Sequence, residues 1–531
     1  MKNMYTEFYD NCQYGSMDAE FYYELGRTLE KINARQAYLC YEQALMYAED
    51  SEKTATYRAE LDRLSGAGVN VPHVSVVILN YNKPDLTLQC IHSIEKNSYR
   101  DSCEIVVVDN DSGDNSVELL KKEKVVLVEN KVNRGFPGGC NDGIAAADAG
   151  NDIFLLNNDT IMMPNAIFTL RMALYSDDKV GATGSVSNNV SNLQQITENL
   201  QPDEYVDYAI RNNISDPLKH EEKIYLVGYA VMFKRDVLNE IGLLDELFFP
   251  GNFEDNDMGL RILKAGYRNV LCHDSFIVHL GSQTFNENPS FYDMLLKENM
   301  EKLNDKYGFD LTYYMHCRNE VISMIPVDIL RKSHARVYEI GCGLGSSLYR
   351  IKYLFPNSDV KGMELMKNVA EIVERDGIVQ QGDIEISNPS ADPESVDVMI
   401  FADVIEHLRD PLEVLRRMRD YISEDGCVIL SVPNIMHFTT MIELLKGIYT
   451  WDRAGIRDYT HMHCFTLDTI VRMADECGYE IENISATTVG MTKIPEQYEW
   501  FEQLILSDKT ADYNQFMAYQ YLVCMKRKKA I

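Results

Sequence analysis

Polar clusters stand where apolar runs of this 531-residue chain end, and their residue types could bind or activate a polar ligand. Asn80-Tyr81-Asn82 follows one such run, Asp109-Asn110-Asp111 a second, and Asn157-Asn158-Asp159 another. The stretch Gly135-Phe136-Pro137-Gly138-Gly139 has no Cβ at three positions, so backbone there can approach a ligand closely. Glu254-Asp255-Asn256-Asp257 opens a predicted helix, with Arg261 further along it. Adjacent carboxylates repel unless they are put to use or solvated; complementing the helix dipole is the plain role and suits Asp257. A second set begins at Glu339, two residues before Gly341-Cys342-Gly343-Leu344-Gly345. Glu364, Asp383 and the run Asp403-Val404-Ile405-Glu406-His407 follow it in order, with His437, His461 and His463 beyond. A Gly-rich turn after a strand serves a dinucleotide as readily as any other adenosine cofactor.

These clusters need a scaffold that delivers them to one edge. Continuous apolar runs at 74–79, 104–108, 125–129 and 153–156 read as strands, with helices at 86–95 and 116–122 between them. Such alternation predicts a parallel sheet covered on both faces, with ligands beyond the carboxyl ends of its strands. Gly135–Gly139 is expected to be a turn. A second α/β cycle starts with a strand at 336–340 and a helix at 346–354, and strands at 479–487 and 520–525 close it. The domain boundary is placed near 313–333. Residues 1–70 read as a helical, tetratricopeptide-like segment, with apolar residues at helical spacing between Phe21 and Ala48. One such unit cannot bury its own face, so it must dock on the next domain, a second copy or another protein.

The order and spacing of the first clusters resemble those of inverting family 2 glycosyltransferases of the GT-A fold, especially rhamnosyltransferase-like and galactofuranosyltransferase-like members. The resemblance spans roughly 72–290, within a domain drawn at 72–320. It implies a nucleotide-sugar donor held by Asn80, Tyr81, Asn82, Asp109, Asp111, Gly135, Gly138, Asn158 and Arg261. Physically, Asp109 can accept the imide N–H of uracil or thymine, and Asp111 can hold ribose. Asp159 closes the segment equivalent to the family's DxD motif, although Asn157 stands at its first position. With His279 it would hold Mg2+ or Mn2+, a hard cation that neutralises the leaving diphosphate. By the same resemblance Asp255, beside Glu254, is the general base; modest base strength suffices because the donor carbon is already activated.

The second set resembles class I S-adenosylmethionine-dependent methyltransferases with a Rossmann-like fold, notably the group acting on ubiquinone precursors and other small molecules, over about 330–530, within a domain drawn at 325–531. An acid before the glycines and another at the end of the next strand argue against NAD. The resemblance implies cofactor binding by Glu339, Gly341, Gly343, Gly345, Glu364, Asp383 and Asp403. His407 is the candidate general base, and His461-Met462-His463 a substrate contact or structural pair rather than a metal site.

The net charge of −31 argues against nucleic-acid or membrane-surface binding by bulk charge. The twelve cysteines form no CxxC pair, which fits reduced thiols. No apolar run is long enough to span a bilayer, and the start of the chain does not read as a secretory leader. A cytoplasmic location, peripheral to the inner face of the membrane, is expected. The reading is a bifunctional α/β enzyme of bacterial surface glycan synthesis. It would transfer a sugar from a dTDP- or UDP-sugar to a glycan or lipid-linked glycan and methylate a glycan hydroxyl. The alternative is an active methyltransferase, acting on an unrelated small molecule or lipid, that carries a degenerate transferase domain as scaffold.

Overall fold

The computed structural model describes residues 18–281, 289–374, 377–508 and 510–528. Residues 1–17, where the helical segment was expected to begin and the leader was read as absent, lie outside these. The chain falls into two compact units, Met1–Phe309 and Asp310–Ile531.

The first unit opens with helices α1 (Ala19–Leu29), α2 (Ala34–Met46) and α3 (Ser51–Gly66). Asp18, Asn33 and Asp50 cap them by accepting backbone amides of the first turn. A Cβ at Gly26 would lie 2.6 Å from the Tyr41 ring, so glycine is what lets α1 and α2 approach. Of the docking choices left open by the sequence, the helices take the α/β core of their own unit. Tyr22 packs edge-on against Phe168, ring centroids 5.2 Å apart, and Gln36 Nε2 donates to the Met172 carbonyl at 2.8 Å.

The core of this unit is a sheet of β1 (Val74–Asn80), β2 (Cys103–Asp109), β3 (Val126–Glu129), β4 (Asp152–Asn157), β6 (Val180–Val186), β7 (His220–Lys223), β8 (Ala230–Phe233) and β9 (Arg268–Phe276). Their spatial order is β3-β2-β1-β4-β8-β6-β9-β7. The expected parallel pairing holds for β1 with β2 and β4, and for β2 with β3. The sheet as a whole is mixed, because β8 runs antiparallel between β4 and β6 and β7 antiparallel to β9. A short ribbon pairs β5 (Thr160–Ile161) antiparallel with β10 (Val278–His279). The expected turn at 135–139 is instead the first turn of the helix Gly135–Ala146. Asn133 Oδ1 accepts the Gly135 amide at 2.8 Å, and Pro137 falls where its missing amide costs no helical bond.

The second unit orders β11 (Arg336–Ile340), β12 (Asp359–Glu364), β13 (Val379–Gln381), β14 (Val396–Ala402), β15 (Ile422–Pro433), β16 (Tyr479–Thr487) and β17 (Gln520–Arg527) as β13-β12-β11-β14-β15-β17-β16. All pairs are parallel except those of β17, which lies antiparallel between β15 and β16 and closes the sheet. The chain divides between Phe309 and Asp310, ahead of the 313–333 stretch read as a boundary.

Candidate functional site

In the first unit the β5–β10 ribbon sets His279 opposite Thr160, and the Leu280 amide donates to the Asp159 carbonyl at 2.9 Å. His279 Nε2 consequently lies 3.3 Å from Asp159 Oδ1. It is buried and has no hydrogen-bonding geometry to any described residue. Nδ1 is 2.8 Å from the Asn189 carbonyl, which fixes the tautomer and leaves the Nε2 lone pair for a ligand. Burial lowers the His279 pKa, but the Asp159 carboxylate outweighs it and the net shift is upward. Tyr229 stacks on the ring at 5.1 Å. An imidazole nitrogen held 3.3 Å from a carboxylate, with the other ring nitrogen tied, fits a divalent cation.

The acidic pair opens the helix Glu254–Lys264, entered through the left-handed residues Asn252 and Phe253. Asp255 Oδ2 accepts the Gly228 amide at 3.0 Å, and Oδ1 the Asn256 amide at 2.9 Å. Glu254 is buried, and its Oε2 has no partner among the described residues. Burial raises both carboxyls, and the Asp255 charge raises Glu254 further. Asp255, Glu254, His279 and Asn157 line one cavity of about 610 Å³ with Tyr229, Asn189 and Tyr292.

Most other residues expected at the donor lie at the strand ends or beside them. A hydrogen-bond chain joins the strand ends: Asn158 Nδ2 donates to Thr87 Oγ1 (3.0 Å), Thr87 Oγ1 to Asn80 Oδ1 (2.7 Å), and Asn80 Nδ2 to Asp109 Oδ1 (2.8 Å). Asp109 Oδ2 accepts the Ser112 amide at 3.1 Å, so both of its oxygens are engaged by the protein, while Asp111 is exposed at φ 68°. Asn82 accepts the Gly113 amide at 2.7 Å, and Tyr81 is exposed. Gly135 serves packing: a Cβ there would lie 2.8 Å from the Pro250 carbonyl oxygen, and one at Gly138 2.9 Å from Arg134 Cβ. Arg261, expected at the donor, is occupied elsewhere. Its guanidinium donates to Asp257 Oδ2 at 2.8 Å and to the carbonyls of Ile241, Gly242 and Leu243.

In the second unit Glu339, Gly341, Gly343 and Asp403 line another cavity of about 610 Å³, together with Tyr313, Tyr314, Arg318 and Gln520. Gly341, Gly343 and Gly345 all have positive φ, and a Cβ at Gly343 would lie 2.7 Å from the Tyr314 carbonyl oxygen. Glu364, expected at a ribose, also holds this loop: Oε2 accepts the Gly343 amide at 2.9 Å and Oε1 the Met366 amide at 2.8 Å. Burial pushes the Glu339 carboxyl up to about 8, and its Oε2 has no partner among the described residues. A buried acid with one free oxygen, lining the same cavity as a glycine cradle, fits an adenosine-bearing cofactor with polar groups to be held. Asp403 pairs with Arg318 and accepts from Ser431 Oγ at 2.6 Å. Asp383 accepts the Glu385 amide at 2.9 Å and is not among the cavity-lining residues. His407 meets His461, ring centroids 4.8 Å apart, whereas His437 is buried near Phe438 with its pKa lowered to about 4 by burial.

Arg318, Asn189 and Tyr229 also line these cavities, and nothing around them in the sequence forms a motif. Glu406 does carry a signal in the sequence, an acid beside a histidine after a strand.

Residues 75–242 match the model of glycosyl transferase family 2, and residues 314–484 that of a methyltransferase domain. The chain joins a family 2 glycosyl transferase domain to a methyltransferase domain. Among curated relatives, the glycosyl transferase domain is similar to a poly(ribitol-phosphate) beta-glucosyltransferase of Bacillus spizizenii, 36% identical over 95 residues, 17% of this chain and 15% of that protein. The chain spans less than two thirds of the length of the curated relatives it matches. Among solved structures, a mannosyltransferase from Pyrobaculum calidifontis is 20% identical at a TM-score of 0.34, covering 50% of this chain and 75% of its own. A methyltransferase from Thermotoga maritima is 17% identical at a TM-score of 0.29, covering 45% and 99%. No described helix is long and apolar enough to cross a membrane.

Proposed function

We propose that this chain is a bifunctional enzyme of bacterial surface glycan assembly, working at the cytoplasmic side of the membrane. The glycosyl transferase domain transfers a sugar, with inversion, from a dTDP- or UDP-sugar to a glycan or lipid-linked glycan. The methyltransferase domain methylates a hydroxyl of that glycan. The observation that carries the first half is the cavity wall shared by Asp255, His279 and Asn157. Asp255 takes the proton of the acceptor hydroxyl; the Gly228 and Asn256 amides hold its rotamer, and burial strengthens it as a base. Asp159 and His279 hold a divalent cation, which when bound neutralises the leaving diphosphate. The relative named for poly(ribitol-phosphate) glucosylation supports a polymeric acceptor.

In the second half Glu339 and the Gly341–Gly345 loop hold S-adenosylmethionine, which supplies an already activated methyl group. Glu364 keeps the loop in shape, and the Arg318–Asp403 pair forms the adjoining wall. Joining the domains raises the local concentration of a shared intermediate. Asn157 at the first position of the metal motif favours a second reading, a retired transferase domain kept as scaffold.

Calorimetric titration of the full chain with UDP and dTDP, with and without Mn2+, and with S-adenosylhomocysteine separates the two. The expected result is metal-dependent binding of one nucleotide plus S-adenosylhomocysteine binding. Asp255→Asn is expected to abolish sugar transfer, by at least about 100-fold, while sparing nucleotide binding. Binding of S-adenosylhomocysteine alone selects the scaffold reading.

A further inference from the structure

Beyond the end of β14, the single turn Ile405–His407 sets Glu406 beside His407. The following loop folds back over this turn because the Glu406 carbonyl accepts two amides, those of Met462 (2.8 Å) and His463 (3.1 Å). That clasp brings His461 to His407. One ligand-type atom from each of Glu406, His407 and His461 lies within 4.8 Å of the others. Glu406 is completely buried, yet neither carboxylate oxygen has a hydrogen-bond partner among the described residues. A buried carboxylate without a donor costs several kcal/mol and calls for a counter-charge. Arg318, the nearby cation, is already paired with Asp403 and Glu320. Both imidazoles have Nδ1 engaged, His461 with the Ile456 carbonyl (3.1 Å) and His407 with Thr460 Oγ1 (3.1 Å). Metal-binding histidines are oriented in this way, one nitrogen tied and the other presented.

We propose that Glu406, His407 and His461 form a divalent-cation site in the methyltransferase domain. Two imidazoles and one carboxylate suit Mn2+, Fe2+, Co2+ or Zn2+ better than Mg2+. Three protein ligands leave positions open for oxygen ligands, and Asp403, three residues before Glu406, lines the cofactor cavity. His407 then acts as a ligand rather than as the general base expected from sequence. The inference stands whichever acceptor the enzyme takes.

The test uses full-length, metal-stripped protein carrying Asp159→Asn and His279→Ala, which removes the candidate site of the other domain. Co2+ is titrated in and followed by its visible absorption, with S-adenosylhomocysteine binding as the check of folding. One Co2+ per chain is expected. Glu406→Gln and His461→Asn are each expected to weaken it by at least about ten-fold, the loss that even a residue merely supporting a ligand causes. Glu406→Gln preserves shape in the core and His461→Asn alters a half-buried loop, so failure of one to fold leaves the other decisive. No stoichiometric Co2+ in the doubly substituted background, or an affinity unchanged by both variants, overturns the site.

Discussion

Glu339 shows how one buried residue makes its own test. Its carboxyl, desolvated and only partly compensated by Arg318, is pushed up to about 8 from 4.5. Between those values the native chain keeps a proton that the unfolded chain has released, so stability falls as pH rises through this window and is retained below it. Gln at this position cannot titrate. Glu339→Gln is therefore expected to gain stability relative to the parent as pH rises from about 5 to about 8. Urea unfolding followed by tryptophan fluorescence checks this, because both tryptophans, Trp451 and Trp500, lie in the second unit. A difference that does not change with pH would remove the buried charge from the account. Residue identity announced Glu339 as a site residue. It did not announce the role of Glu364, which grips the loop amides, or of Arg261, which closes on carbonyls of the preceding segment.

At the scale of elements, a buried ion pair helps tie the N-terminal helices to the rest of their unit. Glu42 on α2 pairs with Arg171 on the helix Ala166–Leu174, and both are buried, 5% and 3% exposed. Arg171 also donates to the Pro72 carbonyl at 2.8 Å, next to the start of β1. Removing one partner strands the other charge away from water. Glu42→Ala is expected to cost about 3–5 kcal/mol, whereas replacing both residues with apolar ones costs much less. Hydrogen exchange of the α2 amides reads the loss; unchanged protection would mean that apolar packing such as Tyr22 on Phe168 holds the helices alone. The helical period of 19–46 was legible because each helix presents an apolar stripe and an Asx cap. Its landing place was not legible, since an apolar stripe specifies burial and not the surface that provides it. The antiparallel strands were hidden for a related reason. A fully buried strand such as β8 is apolar at every position, and that pattern says nothing of direction.

At the scale of the whole chain, the division at Phe309/Asp310 matters more than the sheets suggest. Tyr313, Tyr314 and Arg318 lie in the stretch that reads as a domain boundary, yet all three line the cavity of the second unit. A chain divided after Phe309 is expected to keep S-adenosylhomocysteine binding in its second piece. A piece starting at residue 325 should lose it, because the Gly343 loop would lose the Tyr314 carbonyl that packs on it and Asp403 its Arg318 partner. Calorimetry on the two pieces decides; equal binding would move the cofactor away from these residues. By itself the sequence determined that there are two α/β domains, which strands begin them, and which acids and glycines stand at the strand ends. Those features depend on neighbours a few residues apart, through burial period, capping and backbone freedom. Tertiary structure alone decided that Asn189 ties the His279 ring, that His461 pairs with His407, and that Gly135 packs against Pro250. Each of these contacts joins residues more than fifty positions apart, and strand pairing and loop closure, which no local spacing encodes, set which atoms face each other.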